Sequence, residues 1–372
     1  MNHYAGVDYH KSYSVATVVD ESGKVVGRKR LENRQEDFRD FFKSYRNITA
    51  VVEASGTSVI AIRLLEDIVT DLKLAHPYKV RLIAESKIKT DKIDSEVLAQ
   101  LLRVNLIPEA YKRSKKESNE QRILRARMFY VNKSTAIKNH IHYLISIQFD
   151  QNIRETSKSF SDLFGKKGIA WLKSLPLSET DLQLVNNALA GLEKFQEIIS
   201  VTNRLIKKIF NENTDCQLLH TIPGLGNFLS VLVKTEIASL DRFISADKLC
   251  SYAGLVPSTR SSAGKTFNGR IIKQSNKWLR WAMIEAVYPA ISANAELKTY
   301  YYKIKGRKCA QTARIAVARR LLRIVYRVLK EQNEFKNYIH EFKNKHYQNN
   351  YLKKLVESPS ALSHDPRNRV HA

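Results

Sequence analysis

Hydrophobic periodicity changes several times along the first hundred residues. HYAGVDYH (3–10) and SYSVATVVD (12–20) alternate apolar and polar positions, the period of a half-buried strand. The turn residues ESGK lead into KVVGRKRLE (24–32), a third strand, so the start reads as an antiparallel meander. RQEDFRDFFKSYR (34–46) switches to helical spacing, with Phe38, Phe41, Phe42 and Tyr45 on one face. NITAVVEA (47–54) is a short buried strand, GTSVIAIRLLEDI (56–68) a helix, and DLKLAHP (71–77) a strand closed by Pro77. A helix headed by Asp91 and Asp94 follows. The predicted order is βββαβαβα.

That order is the layout of an RNase H-like domain, an α/β fold. From about residue 116 to 210 the texture becomes long charged-apolar helices, NEQRILRARMFYVNKSTAIKNHIHYLISI and ALAGLEKFQEIISVTNRLIKKIF. They predict an all-α connector, a coiled-coil arm suited to pairing with another copy. LLHTIPGLGNFLSVLVKTEI (218–237) reads helix, glycine-rich turn, helix, similar to a helix-hairpin-helix. Its turn is either a phosphate-holding helix start or a packing corner. SADKLCSYAGLVPS predicts a short helix running into a loop, SNKWLRWAMIEAVYPAISA another helix, and 303–330 a basic one.

The charge narrows the partners. The 372 residues hold 62 Lys or Arg against 37 Asp or Glu, a net +25. Such an excess favours a polyanion, nucleic acid before a membrane surface. No apolar run is long enough to span a bilayer, and MNHYAGVDYHKSYSV lacks the layout of a signal peptide. Three widely spaced cysteines, Cys216, Cys250 and Cys309, give neither a zinc spacing nor a disulfide framework. The expectation is a reduced, cytoplasmic protein.

Four acids occupy informative places. Asp8 is mid-strand, where aspartate is disfavoured, Glu53 ends the fourth predicted strand, and Asp91 and Asp94 share a helix face. Placed on central strands and a crossing helix, the four converge as oxygen ligands for Mg²⁺ or Mn²⁺. Two such ions stabilise both the attacking and the leaving oxygens of a phosphodiester. The bland alternative for Asp91 and Asp94 is a solvated helix start, where acids favour the first turn.

A second constellation lies in AGLVPSTRSSAGKTFNGRIIKQSNKWLR (253–280). From Lys248 to Ile284 there is no Asp or Glu, but there are seven cations: Lys248, Arg260, Lys265, Arg270, Lys273, Lys277 and Arg280. Ser261 and Ser262 sit among them. A serine there either attacks a phosphodiester while cations stabilise the developing charge, or donates a hydrogen bond in a loop that only grips phosphate. Further on, 303–330 carries ten Lys or Arg and no acid, with Arg320, Arg323, Arg327 and Lys330 on one predicted helix face. Nucleic-acid backbone is the expected contact.

GVDYHK, VVEASG, KTDKIDSEVLA, TIPGLG and YAGLVPSTRSSAGKTFNGRIIKQSNKWLR, in that order, resemble the DEDD-type insertion-sequence transposases. These are the serine-using, bridge-RNA-guided recombinases, with pilin-gene DNA invertases as relatives. The resemblance implies that Asp8, Glu53, Asp91 and Asp94 hold the metal and that Ser262 is the nucleophile. Ser262-Ala263-Gly264 stands where the family usually reads Ser-Gly, which leaves Ser261 as the alternative. It also implies a homodimer pairing into a tetramer on donor and target DNA. A composite active site, a 5′-phosphoserine link and an element-encoded guide RNA complete what it implies. The expected organisation is an RNase H-like domain (1–112), a helical connector (113–210), a serine-containing transposase domain (211–300), a basic helical segment (301–345) and a loosely ordered tail (346–372). Rival readings are a site-specific invertase, a Holliday-junction-resolvase-like nuclease using water, and a non-catalytic nucleic-acid-binding protein.

Overall fold

The computed structural model describes residues 1–84, 90–148, 151–262, 265–272 and 274–335. It divides into two compact units, Met1–Ser114 and Lys115–Ala372.

The first unit is a five-stranded mixed sheet with helices on both faces. Strands β1 (His3–Tyr9), β2 (Tyr13–Val19) and β3 (Val25–Glu32) form the antiparallel meander. Helix α1 (Gln35–Phe42) leads to β4 (Ile48–Glu53), and α2 (Ser58–Leu65) to β5 (Asp71–Ala75). Both β4 and β5 run parallel to their neighbours, giving the order β3-β2-β1-β4-β5 with β1 central. The strand period sorts the two faces. Ala5, Val7, Ala50 and Val52 pack with Phe38, Phe42, Ala61 and Leu65 under α1 and α2. Val51 packs with Leu98 and Leu102 of α4 (Asp91–Arg103) on the other face. Gly6 is what lets α4 approach β1: a Cβ there would lie 2.0 Å from the Ser95 carbonyl oxygen. Buried Thr17 and Ser95 share a hydrogen bond of 2.8 Å and tie α4 to β2.

Pro77 does not close a strand. It opens α3 (Pro77–Ile83), because a first helical turn has no use for the missing N–H and its φ suits the helix.

Among its described residues the second unit is helical apart from one hairpin. Helices α5 (Lys115–Ser146) and α8 (Glu179–Asn211) lie antiparallel. Arg127 Nε donates to Asn203 at 2.7 Å, and further along Ile137 lies against Gly191. The partner of α5 is therefore α8 of the same chain. Helices α6 (Gln151–Ser159) and α7 (Lys166–Lys173) close the far end around Ile145, Leu172 and Val185.

At the near end Leu124 and Ile206 enter the main core. It is built by α9 (Thr214–His220), α10 (Asn227–Ile237), a 3-10 turn (Leu240–Arg242), α11 (Ala246–Tyr252), α12 (Lys277–Glu285), α13 (Val287–Ala293), α14 (Ala295–Arg307) and α15 (Ala310–Glu331). The TIPGLG turn is a packing corner. Ile222 and Leu225 are buried, and Gly224 at φ +91° presses so close to α12–α13 that a Cβ would meet the Ala286 carbonyl at 2.3 Å.

Three expectations change here. Residues 257–271 are not a loop but a hairpin, β6 (Pro257–Ser262) and β7 (Lys265–Ile271), in which Ser262 pairs with Lys265 and Arg260 with Phe267. The helix predicted over 275–293 breaks at Ala286, since Pro289 cannot donate to the Glu285 carbonyl. The basic stretch 303–330 is two helices, separated where Lys308 leaves helical geometry and Cys309 is extended.

Candidate active site

Strand parity puts Tyr4, Gly6 and Asp8 on the α4 face of β1, and Val51 and Glu53 on the same face of β4. Val7 pairs with Val52, so Asp8 and Glu53 occupy the next row of neighbouring strands. Thr90 caps α4 by accepting from the Ile93 N–H at 3.3 Å, which sets Asp91 and Asp94 in its first turn. The packing of α4 over Gly6 then brings that turn to the end of β1.

The result is a close cluster. Oxygens of Asp8 and Asp91 and a ring nitrogen of His10 all lie within 4.8 Å of one another. His10 Nε2 is 3.1 Å from Asp8 Oδ2 and 3.4 Å from Asp91 Oδ1. The Tyr13 hydroxyl donates to Asp91 Oδ2 at 2.8 Å, and Arg30 stacks on the Tyr13 ring. Among the described residues, Glu53 and Asp94 fall outside this tightest group.

The two close carboxylates are driven apart in acidity. Burial pushes Asp8 up, the charge of His10 opposes it, and the like charges of Asp91 and Asp94 push it further up. The Tyr13 hydrogen bond holds Asp91 below the usual carboxylate range, against burial and with help from His10. Asp94 thus acts on Asp8 through its field. Crowded hard oxygens with unbalanced negative charge fit a divalent cation. His10 and Tyr13 are the members that the sequence did not single out. The only available signal was that His10 follows Asp8 by two residues.

The second constellation maps onto the hairpin. For Arg260, Ser261, Ser262, Lys265 and Arg270 the backbone alone is described, and Lys273 lies outside the described residues. Lys277 is exposed at the start of α12. Arg280 is half-buried, and its guanidinium donates to the Ala253 and Ile272 carbonyls and the Ser275 hydroxyl. The basic face of α15 has partners brought in by the fold. Arg323 forms an ion pair with Asp247 at 2.7 Å, Arg327 one with Glu331 at 3.3 Å, and Arg320 lies over the Tyr300 ring.

A model of the Transposase IS116/IS110/IS902 family matches residues 216–302, which hold the hairpin and Arg280. A second, described as Transposase and of the IS110 DEDD type, matches residues 5–149, which hold all four acids. The transposase for insertion sequence element IS1111A of Coxiella burnetii is 23% identical over 335 residues, 89% of this chain and 90% of that protein. The chain belongs to the IS116/IS110/IS902 transposase family. This transposase is also 22% identical over 287 residues to the transposase for IS1328 of Yersinia enterocolitica, covering 75% and 81% of the two chains. A shorter match, 26% over 162 residues, joins it to the IS116 uncharacterized 44.8 kDa protein of Streptomyces clavuligerus, 43% and 41% of the two. Insertion-sequence transposases cleave DNA and transfer its strands, and no described helix is long and apolar enough to cross a membrane.

Proposed function

We propose that this transposase cuts and rejoins DNA at Ser262, with a divalent cation, Mg²⁺ or Mn²⁺, held by Asp8, Glu53, Asp91 and Asp94. The observation that carries the reading is the convergence of Asp8 from β1 and Asp91 from α4. A central β1 flanked by parallel β4 supports the RNase H-like reading of the first unit.

When bound, the cation supplies charge neutralisation at the reacting phosphate. Asp8 and Asp91 orient it, while Tyr13 and His10 fix the Asp91 carboxylate. The Ser262 hydroxyl bonds to phosphorus and gives up its proton. The phosphorus–O3′ bond breaks and the 3′ oxygen leaves as a hydroxyl, so the 5′ phosphate stays on the serine. Attack by a 3′ hydroxyl of the other DNA reverses these changes and frees the serine. Arg260, Lys265, Arg270, Lys273 and Lys277 grip the flanking phosphates. The motif resemblance supports an element-encoded guide RNA and a dimer that pairs into a tetramer.

Suicide DNA substrates test the nucleophile. Ser262→Ala abolishes covalent protein–DNA adducts and Ser261→Ala retains them. Adducts that survive in Ser262→Ala and vanish in Ser261→Ala move the assignment to Ser261. Cleavage by the wild type that leaves free 5′ phosphates and no adduct refutes the serine chemistry. Sequencing RNA that co-purifies with the full chain tests the guide.

A further inference from the structure

The β6–β7 hairpin hangs between α11 and α12, and its two feet are tied together. Arg280 of α12 donates Nε–H to the Ala253 carbonyl at 3.1 Å, and its terminal NH₂ to the Ile272 carbonyl and the Ser275 hydroxyl. Ala253 precedes β6 and Ile272 follows β7, so one guanidinium bridges both roots. Gly254, at φ +67°, makes room for it: a Cβ there would stand 2.1 Å from an Arg280 nitrogen.

Asn276 makes a second tie. Its N–H donates to the Tyr252 carbonyl at 2.8 Å, and its Oδ1 caps α12 by accepting from Trp278 and Leu279. Its side-chain nitrogen donates to the Tyr252 hydroxyl at 3.1 Å and to Glu236 Oε2 at 2.7 Å. Glu236, on α10, is only 2% exposed and also accepts from Arg125 and Gln121 of α5. The Arg125 guanidinium lies 3.8 Å over the Trp278 ring. A carboxylate buried this deeply needs charged or hydrogen-bonding partners. One polar network therefore links the root of the α5–α8 arm, helix α10 and the foot of the hairpin.

We propose that Arg280 and Glu236 are positioning residues for strand cleavage, holding the serine hairpin against the helical core without touching DNA. The proposal rests on Ser262 being the nucleophile. Its physical basis is that a reacting atom displaced by about 1 Å can lose about 100-fold in rate. Among the described residues, the Arg280 and Asn276 bonds tie the two feet of the hairpin to the helical core.

A phosphate-binding arginine and a positioning arginine separate experimentally. The full chain, with its co-purified RNA retained, is assayed on a duplex carrying an element end. Arg280→Lys cannot reach three acceptors in a fork. It is expected to slow single-turnover adduct formation at saturating DNA by about 100-fold. DNA affinity and its salt dependence stay at the wild-type level. Glu236→Gln, which keeps an acceptor for Asn276 but removes the charge facing Arg125, slows the same step by a smaller factor.

Weaker DNA binding, a salt slope reduced by about one, and an unchanged rate at saturation would place Arg280 on a phosphate and overturn the proposal. If Arg280→Lys fails to fold, Glu236→Gln decides by hydrogen exchange. Backbone amides of 257–271 then exchange faster than in the wild type while those of α15 do not. Unchanged exchange in the hairpin overturns the proposal. Adducts that persist in Ser262→Ala refute the assignment of Ser262 instead, and the exchange measurement still judges the tie.

Discussion

Phe267 stands 66% exposed on β7, opposite Arg260 and beside a stretch without a single acid. A large ring left in water on a cation-rich hairpin is suited to stacking on a base, which is worth about 1–3 kcal/mol per base. Phe267→Ala is therefore expected to weaken binding of the cleavable duplex by about ten- to a hundredfold. Phe267→Tyr or Trp keeps it. Fluorescence of 2-aminopurine next to the cut site reports the contact, and an unquenched signal identical in wild type and Phe267→Ala counts against it. At this scale the sequence is readable where chemistry is out of place. Asp8 stood out because aspartate is unusual inside a strand, and Asp91 because a second acid follows at helical spacing. Tyr13 and His10 stayed hidden because their bonds to Asp91 join residues about eighty positions apart in the chain. Only the seat of α4 above Gly6 makes them neighbours.

Elements were legible where one face is buried. The strands of the first unit alternate, and their apolar positions pack as that alternation requires. The hairpin was missed for the opposite reason. PSTRSS and KTFNGRI carry no apolar stripe, and their large ring faces solvent. The break at Lys308–Cys309 has no proline to announce it, while Pro289 was visible and was read through. Contacts between elements also carry a pH dependence. Asp215 at the start of α9 pairs with Lys234 of α10 at 2.8 Å and accepts from Gln332, beyond α15, at 2.9 Å. Burial pushes its carboxyl up, but these two hydrogen bonds and the lysine charge outweigh burial and leave it below the usual range. A carboxylate depressed in the folded state gives its full stabilisation above the unfolded value, about 3.9. It loses that stabilisation as pH falls through the lower folded value. Asp215→Asn should cost about 1–3 kcal/mol near neutral pH and almost nothing once the wild-type acid is protonated. Urea melts of both proteins at neutral and strongly acidic pH measure this. A gap that stays constant with pH would sink the assignment.

Across the whole molecule the positive charge is divided unequally. Residues 1–114 carry 19 Lys or Arg against 16 Asp or Glu, while the remainder carries 43 against 21. The acid cluster thus belongs to a nearly neutral unit, and almost all of the excess lies after residue 114. The division resolves an apparent conflict between a polyanion-binding chain and a carboxylate site. A strongly cationic surround would compete with a divalent cation for those oxygens, whereas a near-neutral one leaves them available. Binding strength and metal chemistry can then be set separately. Affinity for non-specific duplex should fall by about a thousandfold between about 50 and about 200 mM salt if six or more phosphates are neutralised. Lysine-modification footprinting of the full chain locates those phosphates. Protection by DNA should concentrate after residue 115, with the lysines of the first unit modified at nearly the free rate. Equal protection in both units would mean that the first unit contributes to backbone binding beyond what its charge supplies. The separation between holding DNA and holding the cation would then have to be abandoned.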